Sequence, residues 1–416
     1  MVASSVLLPL PHVEQRTTHQ RITPAHSADE GDHSLIQYLN DIFHDAIQRR
    51  ASDIHFEPYE QQYRIRFRED GLLQEVAQLP THYKQRIVAR LKILAQLDIA
   101  EHRLPQDGRF HFSVSPTHTV DMRLSTCPTL HGEKIVVRLL DPNAFQLHLS
   151  HLGMNNLQQQ RFADAIEQPQ GLILVTGPTG SGKTVTLYAA LAALNESHRN
   201  ISSIEDPVEI AFSGINQVTV NRKIGLTFPV VLRAFLRQDP DVLMIGEIRD
   251  HETAEMCIQA AHTGHLVFAT LHSNNAPQAL TRMMNLRIPL YNLASSLSLV
   301  VAQRLARRLC DSCKQSHTLS ALQRSLFATE QLTPATTVFR ANDCSQCRQG
   351  YRGRIGLYEI LVIDDTLRTA ILAGGGTTAL QNIARQQGMT SVRHAGLQAV
   401  NAGVTSLDEI HRVTVS

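Results

Sequence analysis

Hydrophobic positions fall into two regimes along this chain. From Ser34 onward, Leu35, Ile36, Leu39, Ile42, Phe43, Ala46 and Ile47 recur at i, i+3, i+4 and i+7, the spacing of an amphipathic helix. Residues 1–33 are polar, carry scattered His and Pro, show no periodicity and read as a flexible tail. Tyr63 to Arg68 alternates as a half-buried strand does and ends in the turn signal Asp70-Gly71. A second helix is expected over Arg86 to Leu97, followed by short strands that end at Val136 to Leu140. These elements make residues 34–145 an α+β domain.

The second regime begins after Asp141-Pro142-Asn143 breaks the pattern, with His148 to Gly153 read as a linker. Short apolar runs at Leu172–Val175, Ile201–Ile204, Val242–Ile245 and Leu266–Leu271 read as buried strands. They alternate with helical stretches at Leu187–Leu194, Val230–Leu236 and Glu252–Ala261, which predicts a mainly parallel sheet flanked by helices over residues 146–309. A long helix, about Asn292 to Leu309, is expected to close this α/β domain. A cysteine-bearing segment (310–356) and a helical C-terminal tail (357–416) complete the chain.

With 416 residues, each of two or three domains can have its own core. A formal net charge of +1 gives no electrostatic case for a nucleic-acid motor, so no nucleic-acid partner is expected. No apolar run approaches the ~18–20 residues that span a bilayer, and Met1 to Pro11 lacks the features of a signal peptide. The expected location is cytoplasmic, with any membrane contact peripheral. Six cysteines without an export signal point to metal binding before disulfides.

The strand at Leu172–Val175 runs directly into Gly177-Pro178-Thr179-Gly180-Ser181-Gly182-Lys183-Thr184, which fits G-x-x-x-x-G-K-[ST] between a strand and a helix. Glycines let backbone N–H groups converge on phosphates, and the helix N-terminus favours negative charge. Lys183 is expected to reach the β- and γ-phosphates and Thr184 to ligate Mg²⁺. The strand Val242–Ile245 delivers Gly246-Glu247 to its C-terminal end, where such sheets bind ligands. Gly occupies the place where a metal-holding Asp is usual, which leaves Mg²⁺ mainly to Thr184 and water. Glu247 is then free to polarise the attacking water; the alternative is a capping Glu before Ile248-Arg249-Asp250. Glu205-Asp206-Pro207-Val208-Glu209 follows another strand, and its carboxylates either serve Mg²⁺ waters and the nucleophile or cap a turn.

Among 21 histidines, His262, His265 and His272 flank the strand Leu266–Leu271, and an imidazole at a strand end could sense the γ-phosphate. Cys310-Asp311-Ser312-Cys313 and Cys344-Ser345-Gln346-Cys347 are two C-x-x-C knuckles separated by 30 residues. A structural Zn²⁺ held by four thiolates is the expected role, with redox motifs or core thiols as alternatives. Cys127 and Cys257 stand alone and are expected to be buried apolar residues.

Together these motifs resemble the secretion-superfamily hexameric ATPases, comprising the type II secretion ATPase and the type IV pilus assembly ATPase. The resemblance runs from about residue 34 to 414. It rests also on Ser52-Asp53-Ile54-His55-Phe56-Glu57-Pro58, Pro105-Gln106-Asp107-Gly108-Arg109, Asp121-Met122-Arg123-Leu124-Ser125-Thr126 and His131-Gly132-Glu133-Lys134. In the second half it rests on Asp239-Pro240-Asp241, Thr263-Gly264-His265 with Thr270-Leu271-His272, and Gly350-Tyr351-Arg352-Gly353-Arg354-Ile355-Gly356.

The resemblance implies a RecA-like P-loop ATPase domain with the smaller α+β domain before it, in a homo-hexameric ring with ATP at the cleft between domains. It implies catalytic roles for Glu205, Glu247, His265 and His272. Arg109 and Arg123 are nominated as arginine fingers, the alternative being surface charges or salt bridges. The ring would drive an inner-membrane platform protein that assembles a pilus or secretion pseudopilus. A pilus retraction motor is the alternative within the superfamily, although its members generally lack the C-x-x-C pairs, and a nucleic-acid translocase is a more distant one. The sequence departs from the pattern at Val185, at His262, at Ser273-Asn274-Asn275, and in having only residues 1–33 where larger members carry a further N-terminal domain.

Overall fold

A computed structural model of the chain describes residues 31–116, 118–140 and 147–414. Most of the segment read as a tail, and the break at Asp141-Pro142-Asn143, lie outside the described residues. The first unit comprises α1 (Gly31–Gln48), β1 (Asp53–Pro58), β2 (Tyr63–Glu69), β3 (Leu72–Leu79), α2 (Lys84–Leu94), β4 (Gln106–Ser115), β5 (His118–Thr129) and β6 (Gly132–Leu140). Its six strands form an antiparallel sheet in the order β3-β2-β1-β6-β5-β4.

Strict alternation decides which face of this sheet is dry. Ile54, Phe56, Ile65, Phe67, Met122, Leu124 and Val137 are buried with Leu39, Ile42 and Phe43 of α1 and Ile87 and Leu91 of α2 in one core. The other face carries a row of charged cross-strand neighbours: Arg68, Asp53, Arg138, Arg123 and Arg109, on β2, β1, β6, β5 and β4. Glu57 on β1 is also buried, ion-paired with Arg64 (3.1 Å), Arg66 (2.8 Å) and Lys134 (2.9 Å). Burial alone would raise its carboxyl; hydrogen bonds from Arg66 and Lys134 outweigh that and pull it down to about 2.

The second unit opens with α3 (Asn156–Ile166), whose Asn155 and Gln158 form a capping box, then β7 (Gly171–Thr176) and α4 (Lys183–Leu194). It continues through β8 (Ile201–Glu205), β9 (Asn216–Thr219), α5 (Phe228–Phe235), β10 (Val242–Ile245), α6 (His251–His262), β11 (Leu266–Leu271), α7 (Ala276–Asn285) and α8 (Leu290–Ser296). Next come β12 (Leu297–Leu309), β13 (Gln315–His317), α9 (Ala321–Thr329), β14 (Val338–Arg340) and β15 (Tyr351–Val362). Four helices end the chain: α10 (Asp365–Leu372), α11 (Thr377–Gln386), α12 (Val392–Asn401) and α13 (Leu407–Val413).

The sheet order is β15-β12-β7-β11-β10-β8-β9. Every pairing in it is parallel except β12 with β15. Its central strands are buried on both faces, as helices on either side require.

The long helix expected over Asn292–Leu309 is not formed. Residues up to Ser296 are helical, but Leu297–Leu309 is a 13-residue strand paired with β7 on one edge and β15 on the other. A strand covered on both faces has no period of two to betray it, so Leu-Ser-Leu-Val-Val-Ala-Gln-Arg-Leu-Ala-Arg-Arg-Leu matches a helical pattern by accident. β15 joins the same sheet, running across the boundary at 356 read between the cysteine segment and the helical tail. Cys257 is buried as expected, but Cys127 is exposed: it follows the fully buried Thr126 on β5, and the pleat turns the next side chain outward. Among the described residues no helix is long and apolar enough to cross a membrane.

Candidate nucleotide site and cysteine cluster

The loop between β7 and α4 is built for an anion. Gly177, Gly180 and Gly182 hold φ of 148°, 77° and 88°, and a Cβ at Gly177 would lie 2.5 Å from the carbonyl oxygen of Gln303 on β12. Gly182 occupies the N-cap of α4 and supplies no side-chain cap, so the first N–H groups of that helix stay available. Ser181 Oγ is buried without a hydrogen-bond partner. Lys183 Nζ donates to the carbonyls of Gly177 (2.8 Å) and Pro178 (3.1 Å) within the loop. Burial first, with Arg304 nearby, lowers its pKa to about 8 against the opposing pull of Glu247. Uncapped amides, an unpartnered hydroxyl and a lysine turned onto its own loop fit a triphosphate; Thr184 is the second residue of α4.

Glu247 follows β10, two strands from the loop. Its Oε1 lies 3.2 Å from Nε2 of His272, and its Oε2 accepts from Arg249 Nε at 2.7 Å. His272 leaves the C-terminal end of β11, which is in register with Thr176 of β7. Burial, then the Lys183 ammonium, hold its imidazole below its ordinary value, against the pull of Glu247. Gly246 packs tightly against the end of β8: an added Cβ would meet Glu205 Cα and the Ile204 carbonyl oxygen, each at 3.2 Å. An Asp at that position would have to displace backbone.

Glu205 ends β8 and is buried. Its Oε1 accepts from Tyr188 of α4 (2.8 Å) and Ser203 (2.9 Å), and burial raises its pKa in spite of both. Asp206 pairs with Arg222 at 2.9 Å, and Glu209 pairs with Arg123 of the first domain at 3.3 Å. Arg109 is exposed beside Arg123.

His265 is not brought to this site. It sits at the opposite end of β11, level with Gly171, and its Nδ1 lies 2.8 Å from the Ala260 carbonyl. Six residue steps at ~3.3 Å separate it from Leu271, which is level with the loop end, about 20 Å away. His262 faces Ser295 at 2.9 Å, also away from the loop. Sequence reasoning passed over Arg249, Tyr188 and the pair Thr176–Ser273, whose hydroxyls lie 2.8 Å apart where β7 and β11 end. Only Arg249 had a usable signal, being two residues past Glu247.

The four knuckle cysteines converge after β12 and before β15. Their sulfurs all lie within 4.8 Å of one another, with Cys310–Cys344 at 3.9 Å and Cys313–Cys347 and Cys344–Cys347 at 3.5 Å. A tetrahedral Zn²⁺ with ~2.3 Å bonds needs sulfurs about 3.8 Å apart, so the set fits. Arg348, next to Cys347, pairs with Glu69 of the first domain at 3.0 Å, and Gly353 N–H donates to Asp70 at 3.0 Å.

Residues 28–412 match the family described as Type II/IV secretion system protein. The type IV pilus assembly ATPase PilB of Acinetobacter baylyi is 49% identical over 91% of this chain and 66% of its own length. The type II secretion system ATPase E of Vibrio cholerae is 47% identical over 92% of this chain and 76% of its own. The chain thus spans about two thirds to three quarters of the length of these curated relatives.

Among solved structures, the pilus retraction motor PilT with bound ADP is 25% identical at a TM-score of 0.61, covering 90% of this chain and 96% of that one. The Legionella pneumophila ATPase DotB shares the fold, with a TM-score of 0.68 over 95% of this chain and 97% of its own, at 19% identity. With nearly its whole described length matched, the chain belongs to the Type II/IV secretion system protein family, alongside the pilus assembly and type II secretion ATPases.

Proposed function

We propose that this protein hydrolyses ATP at the Gly177–Thr184 loop and is the assembly motor of a type IV pilus or a type II secretion pseudopilus. The observation that carries the reading is Glu247, held between His272 and Arg249 at the sheet's C-terminal edge, with the Lys183 loop on the same edge. In this reading the loop amides and Lys183 bind the β- and γ-phosphates, and Thr184 holds Mg²⁺, which shields phosphate charge. Glu247 accepts a hydrogen bond from the attacking water and draws off its proton as the water oxygen bonds to the γ-phosphorus and the bridge to ADP breaks. Glu205, fixed by Tyr188 and Ser203, supports the same edge. Arg123 and Arg109 supply cations from the first domain, in a homo-hexamer acting on an inner-membrane platform protein from the cytoplasmic side. Cys310, Cys313, Cys344 and Cys347 hold a structural Zn²⁺.

Assembly is favoured over retraction because identity to pilus assembly ATPases reaches 49%, against 25% to the retraction motor PilT. The test is a gene deletion complemented with wild type or Glu247→Gln, scoring surface pili and exported proteins together. Loss of pili, restored by wild type alone, assigns pilus assembly; intact pili with exoproteins trapped inside assign secretion. Full restoration by Glu247→Gln would overturn the ATPase reading.

A further inference from the structure

Beside the phosphate loop, sharing Gly177 to Thr179 and His272 with the site already described, lies a cavity of about 640 Å³ whose α7 wall none of the roles above uses. Pro178 and Thr179 of the loop form one wall, His272 borders it, and α7 forms the opposite wall. Gln278, Arg282 and Asn285 line it from one face of α7, at i, i+4 and i+7, while Ala279, Leu280 and Met283 bury the other face. Its chemistry is one-sided: Arg282 is the one permanently charged residue among the described residues lining it, no carboxylate is among them, and the rest is mainly hydroxyl and amide. The Arg282 guanidinium makes no ion pair or hydrogen bond with the described residues. It lies close enough to His272 to help, after burial and Lys183, in holding that imidazole neutral.

The position gives this chemistry a use. In the ATPase reading, hydrolysis would leave ADP on the loop amides, and the phosphate split from its far end would need a place apart from the nucleotide. The cavity begins at Gly177 to Thr179, the first half of the loop, and at His272, and no residue of α4 is among those lining it. We propose that this cavity is a holding site for the inorganic phosphate product, with Arg282 as its anchor through paired N–H donors. The proposal rests on the ATPase reading but is tested apart from it.

The experiment measures binding of radiolabelled inorganic phosphate to the full chain saturated with ADP and Mg²⁺, by equilibrium dialysis. One phosphate per ADP-loaded chain is expected, with at least tenfold weaker binding in Arg282→Gln and partial recovery in Arg282→Lys. Gln278→Glu, which places a carboxylate in the cavity while keeping an acceptor for the Asn274 N–H, should weaken phosphate similarly. This second variant covers the case in which Arg282→Gln fails to fold. Equal phosphate affinity in wild type and both variants, or no phosphate bound by the ADP-loaded wild type, overturns the proposal whatever the rate of ATP hydrolysis. Phosphate lost in the variants from a wild type that shows no turnover upholds the anion site and removes the ATPase reading instead.

Discussion

His272 Nε2 lies 3.2 Å from Glu247 Oε1, and the imidazole and Arg249 together occupy both carboxylate oxygens. A neutral imidazole facing a carboxylate keeps its proton on Nε2, so in the proposed ATPase His272 would aim Glu247 without competing for the proton that hydrolysis releases. Glu247→Gln should keep nucleotide binding and reduce kcat by about 10²–10⁴. His272→Ala, which loses a hydrogen bond to a charged group, should reduce kcat roughly 10- to 100-fold with a smaller change in KM. Steady-state ATPase assays beside binding of a fluorescent nucleotide separate the two effects.

Nucleotide binding should take up a proton. Burial lowers the pKa of Lys183 to about 8. A triphosphate beside it favours the charged form and raises that value, so at pH 8 to 9 binding draws a proton from solution, whereas at pH 6.5 the lysine is already charged. Affinity should fall with rising pH above about 8. Calorimetry in buffers of different ionisation enthalpy reads the uptake; an uptake equal at pH 6.5 and 8.5 would exclude Lys183 as its source.

Metal removal should loosen the two domains from each other. Arg348 leaves the second knuckle directly and grips the buried Glu69, while Gly353 grips Asp70. About one zinc per chain is expected in the purified protein, and Cys344→Ser should abolish it. Limited proteolysis should then release the two domains from each other faster in the chelated protein, in Cys344→Ser and in Arg348→Ala, the last with its zinc retained.

Glu57 should stabilise the first domain over a defined pH range. Its folded-state value, about 2, lies below the ordinary carboxylate value, so its contribution is present in full above pH ~5 and is lost as pH falls toward 2. Glu57→Ala leaves Arg64, Arg66 and Lys134 facing one another and should cost about 3 kcal/mol at pH 7. Urea unfolding at pH 7 and pH 3 checks this, with the gap between wild type and variant narrowing at the lower pH.

Elements whose determinants are contiguous were legible in the sequence. The phosphate loop, the strand before Glu247 and both cysteine knuckles each fit within ten residues, and their spacing carries their chemistry. What escaped depends on distant neighbours. β12 reads as a helix because its cover on both faces comes from helices elsewhere in the chain, and β15 is a strand because β12 offers it an edge. Which end of β11 meets the phosphate loop follows from parallel register with β7, and that separates His272 from His265. Arg282 gave no local signal, because the loop it faces lies a hundred residues earlier.

The pairing of β12 with β15 also sets an order in time. During synthesis the loop, Glu247 and His272 all emerge well before residue 351, so a nascent chain holds its nucleotide-facing residues while one edge of the sheet is still open. That edge, Leu299 to Leu309, is mostly apolar and invites pairing with another chain until residues 351–362 arrive. The cysteine segment lies between the two strands, so the speed with which it folds sets how long that edge stays open.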